Sequence, residues 1–401
     1  MDPVRNPYAP GAGQRPPELA GRDEQLAAFD VTLERVAKGR PERSVVLTGL
    51  RGVGKTVLLN ALRSAAVRAD WGTGKLEARP DQALRRRLAA ALHMAIRELG
   101  HPRSDEVLGT VKAFAARDVG SGSSTKLRDR WNPGIDVPAT SGRADSGDVE
   151  IDIVELLTDV GGLAADVGRG VAVFVDEMQD LRPEDVSALC AACHELSQNR
   201  LAVVVAGAGL PHLPAVLSAS KSYSERLFRY TLIDRLDRDA ADLALAAPAR
   251  EEGVEFTPGA LAELYAVTAG YPYFVQAYGK AVWDAASRTP ITVEDVRVAA
   301  PEAEAELGVG FFGSRYERAT PAEREYLRAM AETAFVEAQV SEPETDSVPT
   351  AAVAAHLDRK PQSLSPARDA LLKKGLIYSG ERGRIAFTVP HFGRYLRATV
   401  G

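Results

Sequence analysis

The chain has 401 residues, 45% of them apolar and 26% charged. These are the proportions of a globular protein with more than one domain. No apolar run is long enough to span a bilayer, and two cysteines cannot build a disulfide framework. That argues against a membrane-embedded chain and against a disulfide-stapled secreted one. The total charge is −6, but residues 348–401 hold nine Lys/Arg against three Asp/Glu, a local +6 that leaves −12 elsewhere. An acidic body with a basic tail points any nucleic-acid contact to the C-terminus.

Residues 1–18 carry five prolines with Gly11 and Gly13, the composition of an extended arm. The segment Met1-Asp2-Pro3-Val4-Arg5-Asn6-Pro7 has no apolar signal core, so the cytoplasm is the expected location. Asp23 is placed to cap a helix in which Leu26, Phe29, Leu33 and Val36 share one face.

Ser44-Val45-Val46-Leu47-Thr48 then reads as a buried strand. It leads into Gly49-Leu50-Arg51-Gly52-Val53-Gly54-Lys55-Thr56, which fits the phosphate-loop pattern without a mismatch. Val57, Leu58, Leu62 and Val67 follow at helical spacing, so the loop joins a strand to a helix N-terminus, a ready site for polyphosphate. Gly52 and Gly54 let the backbone turn. Lys55 should reach the β- and γ-phosphates, and the Thr56 hydroxyl should ligate Mg²⁺.

Beyond the loop, Leu76-Glu77-Ala78 is a weak strand candidate, and residues 82–99 form an amphipathic helix. Residues 120–147 read as a long loop, uncommon inside a domain. Ile151, Val154, Leu157 and Val160 mark another helix. Val171-Ala172-Val173-Phe174-Val175 is a buried strand that ends in Asp176-Glu177. Ligands of open α/β sheets bind beyond the carboxyl ends of the strands. Asp176 is therefore expected to hold Mg²⁺, directly or through water. Glu177 is expected to polarise the attacking water as general base.

Cys190-Ala191-Ala192-Cys193-His194 matches a haem-attachment pattern. It lies in a helical stretch among Val186, Leu189 and Leu196, with no signal peptide, so the cysteines are expected to be buried and no haem is expected. Leu201 to Ala206 is the next strand, and Tyr230-Thr231-Leu232-Ile233 the last. From Asp237 to Ala305 the pattern is helical, as in a small lid.

After Phe311-Phe312-Gly313 the pattern changes. Thr320-Pro321 opens a helix, 337–347 is a polar loop, and Thr350 starts a short helix. A further helix is expected to begin near Ser365, because Pro366 cannot sit deep inside one, and to end at Gly375. Leu376-Ile377-Tyr378 and Arg384 to Thr388 are strand candidates around a turn. Three helices and a hairpin in that order read as a winged helix-turn-helix. Its base-reading end would hold Gln362, Ser363 and Ser365. Arg368, Lys373 and Lys374 would lie along the helix, and Arg382 and Arg384 on the wing. Against DNA contact stands the −12 body, which would repel the duplex unless this domain projects from it.

The phosphate loop, Asp176-Glu177-Met178-Gln179-Asp180, the helical lid and the C-terminal winged helix together resemble AAA+ ATPases of the replication-initiator (origin-recognition) type. They resemble equally the related STAND and archaeal-type ATPases. The resemblance implies an α/β P-loop NTPase that uses ATP/ADP and Mg²⁺. Its expected layout is an arm (1–18), an ATPase core (19–235), a helical lid (236–314) and a winged-helix domain (315–401).

Further roles are carried by the resemblance alone. Gly21 and Arg22 lie in a segment similar to one that packs near adenine, and Gly270-Tyr271-Pro272 is similar to a lid motif, which puts Pro272 at the nucleotide. Ser224-Glu225-Arg226 resembles the segment bearing an arginine finger, which would act in a neighbouring subunit of a homo-oligomer. Two departures point to slow hydrolysis. The strand ending at Ala206 lacks a polar sensor, and 270–283 lacks the arginine of a second sensor. Three functions follow: a nucleotide-controlled DNA-binding switch, a STAND-type switch whose winged helix makes protein contacts, or a nucleotide module with a protein client.

Overall fold

A computed structural model describes residues 1–400 apart from 12, 81, 117–134, 339–346, 380–381 and 390. Much of the expected 120–147 loop lies outside the described residues, while 135–147 form neither helix nor strand. By its contacts the chain divides into two units. One holds Arg22–Thr48 and Lys55–Leu232; the other holds Met1–Gly21, Gly49–Gly54 and Ile233–Gly401.

The first unit is built on a five-stranded, all-parallel sheet. Its strands are β1 (Ser44–Thr48), β2 (Gly72–Glu77), β3 (Val171–Asp176), β4 (Val203–Gly209) and β5 (Phe228–Leu232), in the order β2-β3-β4-β1-β5. Every residue of β1, β3 and β4 is buried. Their unbroken apolar runs are what a strand covered on both faces requires. Its longer helices are α1 (Asp23–Ala37), α2 (Lys55–Arg68), α3 (Leu84–Leu99), α4 (Ser104–Ala116), α5 (Val149–Asp166) and α6 (Pro183–Gln198), and shorter ones span Leu213–Ser220 and Ser224–Leu227.

The edge strand β2 departs from expectation by starting four residues earlier, at Gly72. A Cβ at Gly72 or Gly74 would come within 2.4 Å of the Ala95 or Ala91 carbonyl oxygen of α3. The helix backbone therefore lies directly on the strand, and glycine is the residue that allows it. α4 was not foreseen at all. Cys190 and Cys193 are buried free thiols in α6, and burial pushes Cys193 up to about 12. Asp23 is the first residue of α1 rather than its cap, the cap position being Arg22, whose side chain makes no capping bond.

The second unit gathers the N-terminal arm, the phosphate-loop segment and everything after Ile233. Four lid helices, α7 (Arg238–Glu251), α8 (Pro258–Thr268), α9 (Pro272–Ala285) and α10 (Val293–Glu306), run into a π-helical turn, Leu307–Gly313. The arm is fastened to the lid. The Tyr8 hydroxyl donates to the Leu245 carbonyl at 2.5 Å, and the Trp283 indole N–H donates to the Asp2 carbonyl at 3.0 Å.

The C-terminal elements are α11 (Pro321–Ala338), β6 (Ser347–Pro349), α12 (Thr350–His356), α13 (Pro361–Lys373), β7 (Ile377–Tyr378), β8 (Arg384–Phe387) and α14 (Phe392–Val400). The strands pair antiparallel in the order β6-β8-β7. α13 starts at Pro361, not near Ser365. Pro361 takes the first helical position, where proline is favourable, and the helix continues through Pro366.

An aromatic cluster joins the lid helices to this region. Phe274 lies 5.7 Å from Phe311 and 5.4 Å from the His391 ring, and Phe312 stacks on Tyr395 at 5.1 Å, centroid to centroid. Phe312 also stacks on Phe392 at 6.0 Å. Such pairs contribute about 0.5–1.5 kcal/mol each beyond the area they bury. The C-terminal elements are thus packed on the lid.

Candidate functional site

In a parallel sheet every carboxyl end lies along one edge. That is where β3 delivers Asp176 and where the phosphate loop leaves β1. β4 separates the two strands, so the gap between them spans two inter-strand steps of about 4.8 Å. This is the position at which an open α/β sheet takes a ligand.

Within the sheet unit, Lys55 and Thr56 open α2, and Lys55 is buried. The Thr56 hydroxyl donates to the Asp176 carboxylate. Asp176 is buried, which raises its pKa. The nearby Glu177 raises it further, while Thr56 and Lys75 hold it down. Lys75 Nζ stands 4.0 Å from Asp176 Oδ2 and donates to Asn60 Oδ1 at 2.5 Å. A hydroxyl and a buried carboxylate with an elevated pKa fit a hard divalent cation, whose charge would restore the anion. Among the described residues no three His, Cys, Asp or Glu side chains could hold a metal on their own. Mg²⁺ takes one or two protein ligands together with phosphate oxygens and water, so such a cluster is not a requirement for it.

Glu177 sits just past the strand with φ +51°, in the left-handed region. Its Oε2 accepts from Gln179 Nε2 at 2.6 Å, and Gln179 Oε1 accepts from the Leu210 N–H at 3.1 Å. One side chain therefore ties Glu177 to the residue that follows β4. The sequence had shown no polar residue at that strand tip; Gln179 reaches it from the turn after β3. Its place two residues beyond Glu177 was the available signal.

In the second unit the loop segment meets the lid and the C-terminal elements. Gly52 and Gly54 have φ of +87° and +90°, the conformation for which glycine was expected. The Tyr273 N–H at the start of α9 donates to the Gly52 carbonyl at 3.3 Å. Pro272 occupies the first position of that helix. Gly21 packs against Ala240 of α7. The Arg51 N–H donates to the Thr388 carbonyl, just past β8, at 3.0 Å.

Arg315 was not foreseen. Its guanidinium lies 4.0 Å over the Phe311 ring and donates to the Phe311 carbonyl. Phe311 in turn stacks on Tyr273 at 4.6 Å. Burial and the neighbouring Arg51 push Arg315 down to about 10. Among the described residues it has no carboxylate partner. Lid residues 270–283 lack an arginine, and this one, from beyond the π-helical turn, stands beside the loop segment instead.

Arg226 is exposed in a one-turn helix, Ser224–Leu227, that precedes β5. It therefore lies at the amino-terminal edge of the sheet, away from Asp176. Of the residues expected on a nucleic acid, Gln362, Ser363, Lys373 and Arg382 are exposed. Ser365 is half-buried and its hydroxyl donates to the Pro361 carbonyl. Lys374 is tied to Glu323 at 2.6 Å and to the Arg318 carbonyl, Arg384 to Glu337 at 3.4 Å and to Ser347, and Arg368 to Asp369 at 3.0 Å.

Comparisons with known proteins agree with this geometry. Residues 18–205 match the family model described as AAA ATPase domain, and residues 309–396 match one described as a domain of unknown function. No curated protein matches. Among solved structures, the Walker-type ATPase of Pyrococcus abyssi is similar at TM-score 0.58 and 16% identity, over 96% of this chain and 97% of that one. Cdc6p of Pyrobaculum aerophilum is similar at TM-score 0.45 and 15% identity, over 99% and 97% of the two chains. The Orc1 protein of Aeropyrum pernix in complex with DNA is similar at 0.43 and 14%, over 96% and 94%. At such identity the first likeness speaks to fold. Residues 18–205 are thus similar to AAA ATPase domains, and the fold is that of an α/β P-loop NTPase.

Proposed function

We propose that this AAA ATPase is a slow nucleotide-controlled switch, read out by its C-terminal elements as a winged-helix domain that binds duplex DNA. The observation that carries the reading is the bond from the Arg51 N–H of the phosphate loop to the Thr388 carbonyl. It places a C-terminal strand end on the segment that would cradle phosphate. Any rearrangement of that loop on nucleotide binding then alters the seat of the C-terminal domain.

In this reading Lys55 and the loop backbone hold the β- and γ-phosphates, and Thr56 with Asp176 holds Mg²⁺, which supplies charge neutralisation when bound. Glu177 takes the proton of the attacking water. Gln179, donating to that carboxylate, sets its direction and competes with the attacking water for it, which suits slow turnover. Arg315 answers the phosphate charge from the C-terminal side.

DNA as the partner rests on the exposed face of α13, with Gln362, Ser363 and Lys373, and on Arg382. A second reading has a protein client in place of DNA. The internal pairing of Lys374, Arg384 and Arg368 and the packing of this domain on the lid favour it. The test uses the full chain in apo, ADP and ATP forms. Gel shift with a pool of duplexes at low salt is read beside hydrogen exchange over 376–396. Nucleotide-dependent exchange together with a nucleotide-dependent shift supports the first reading. Nucleotide-dependent exchange with no shift of any duplex moves the protein-client reading to first place. Exchange indifferent to nucleotide refutes the switch.

A further inference from the structure

At the amino-terminal edge of the sheet lies a cavity of about 300 Å³, the lower end of the range for small-ligand sites. The first residues of β1 and β4, Ser44 and Val203, line it, together with Leu227 just before β5. Strands of five to seven residues separate it from the Asp176 edge by ~13–20 Å at about 3.3 Å per residue. It is no part of the phosphate site of its own subunit.

Its lining is unusual in charge. Arg40, Arg43, Arg200 and Arg226 all contribute, with Glu42 as the one carboxylate. Glu42 is already paired with Arg35. Among the described residues, no carboxylate pairs with any of the four arginines. Four guanidiniums thus line one cavity whose single carboxylate is engaged elsewhere. The floor is apolar: Val36, Leu196, Leu201 and the neutral thiol of Cys193.

We propose that this cavity binds a small phosphate-bearing molecule, its phosphates on the arginines and its body on the apolar floor. Each guanidinium offers five donors in a planar fork. One carboxylate, with two oxygens, would leave most of them unused. A di- or polyphosphate matches them in charge and in acceptor number. The phosphates have two possible sources: a free ligand, or a nucleotide held on a second copy of this chain.

The test is calorimetric titration of the ADP-loaded full chain with inorganic pyrophosphate at low salt, run beside Arg40→Ala/Arg200→Ala. Both replaced side chains are exposed, and circular dichroism checks that the variant is folded. One equivalent bound by dilute monomer, weakened at least tenfold in the variant with ADP affinity unchanged, establishes a free-ligand site. No binding by monomer, but ATP-dependent self-association that the variant loses, assigns the phosphates to a second copy. Neither effect, or pyrophosphate binding equal in parent and variant, overturns the proposal. If ADP itself does not bind, the switch reading fails, while the pyrophosphate titration of the apo chain still decides this one.

Discussion

Replacing Arg315 with methionine should leave the apo protein about as stable as the parent and weaken its hold on ATP, a combination that a mere packing residue would not give. The substitution keeps the alkyl stem and removes the charge. Burial and Arg51 push the guanidinium down to about 10. One pKa unit corresponds to about 1.4 kcal/mol, so a fall of that size amounts to ~3 kcal/mol. Discounted for the partial exposure of Arg315, ~1–2 kcal/mol remains. For a base whose folded pKa is depressed, the penalty is complete at every pH below the folded value and fades only in strong alkali. It is therefore fully present at neutral pH. Loss of the cation–π contact on Phe311 opposes the gain by about 0.5–1 kcal/mol, and loss of the bond to the Phe311 carbonyl by about 1 kcal/mol more, leaving the stability of the apo protein within ~1 kcal/mol of the parent. If Arg315 bonds phosphate, the missing charge-assisted contact is worth about 1.5–3 kcal/mol, roughly ten- to a hundredfold in affinity. Urea unfolding of the apo forms and calorimetry with ATP in a Glu177→Gln background give the two readings. Lower stability with unchanged ATP affinity would show that Arg315 only packs on Phe311.

Lys55→Ala should lose ATP affinity, whereas Glu177→Gln should keep it and stop turnover; parental hydrolysis by the second variant would sink the assignment of the base. Gln179→Glu sets a second carboxylate beside Glu177, so the acid limb of the pH–rate profile should move to higher pH with KM little changed; an unmoved limb rejects Gln179 as a positioning residue. Because burial raises the pKa of Asp176, the folded state holds its proton more tightly than the unfolded chain, and stability from this group falls as pH rises through that range. Asp176→Asn should therefore raise the melting temperature of the apo protein at neutral pH and abolish the extra stabilisation that Mg²⁺ adds to ADP. Lys373→Ala with Arg382→Ala should weaken duplex binding alike for all sequences and lower the salt slope by about two, while Arg384→Ala, which breaks its ties to Ser347 and Glu337, should appear in the melting temperature instead.

What could be read in advance followed how much of each element's reason for existing was local. β1, β3 and β4 announce themselves because a strand buried on both faces needs an unbroken apolar run. The loop residues do so because phosphate chemistry fixes both their types and their spacing. The start of β2 was hidden, since Gly72 and Gly74 answer to Ala91 and Ala95 of α3, some twenty residues on. Pro366 misplaced the start of α13 because its helix-breaking signal hides the helix-opening one of Pro361. Gln179 and Arg315 owe their interest to Leu210 and to the loop segment, contacts that no local spacing records. The internal pairing of Lys374 and Arg384 was equally out of reach, so basic residues that looked alike in the sequence divide into two sets in the fold.

The bond between Arg51 and Thr388 joins two main-chain groups, so side-chain replacement at either position leaves both of its atoms in place. Of the common substitutions, only proline at 51 removes the donor, and it would also constrain the loop. Thermodynamic reciprocity then makes this seam informative in both directions. Whatever factor a nucleotide imposes on the affinity of the C-terminal domain for its partner, that partner must impose on the nucleotide. If the loop must leave Thr388 before it can close on phosphate, the apparent affinity for ATP is scaled down by the fraction of molecules already undocked. A partner that captures the undocked domain would then act as a nucleotide-loading factor, without touching the nucleotide at all.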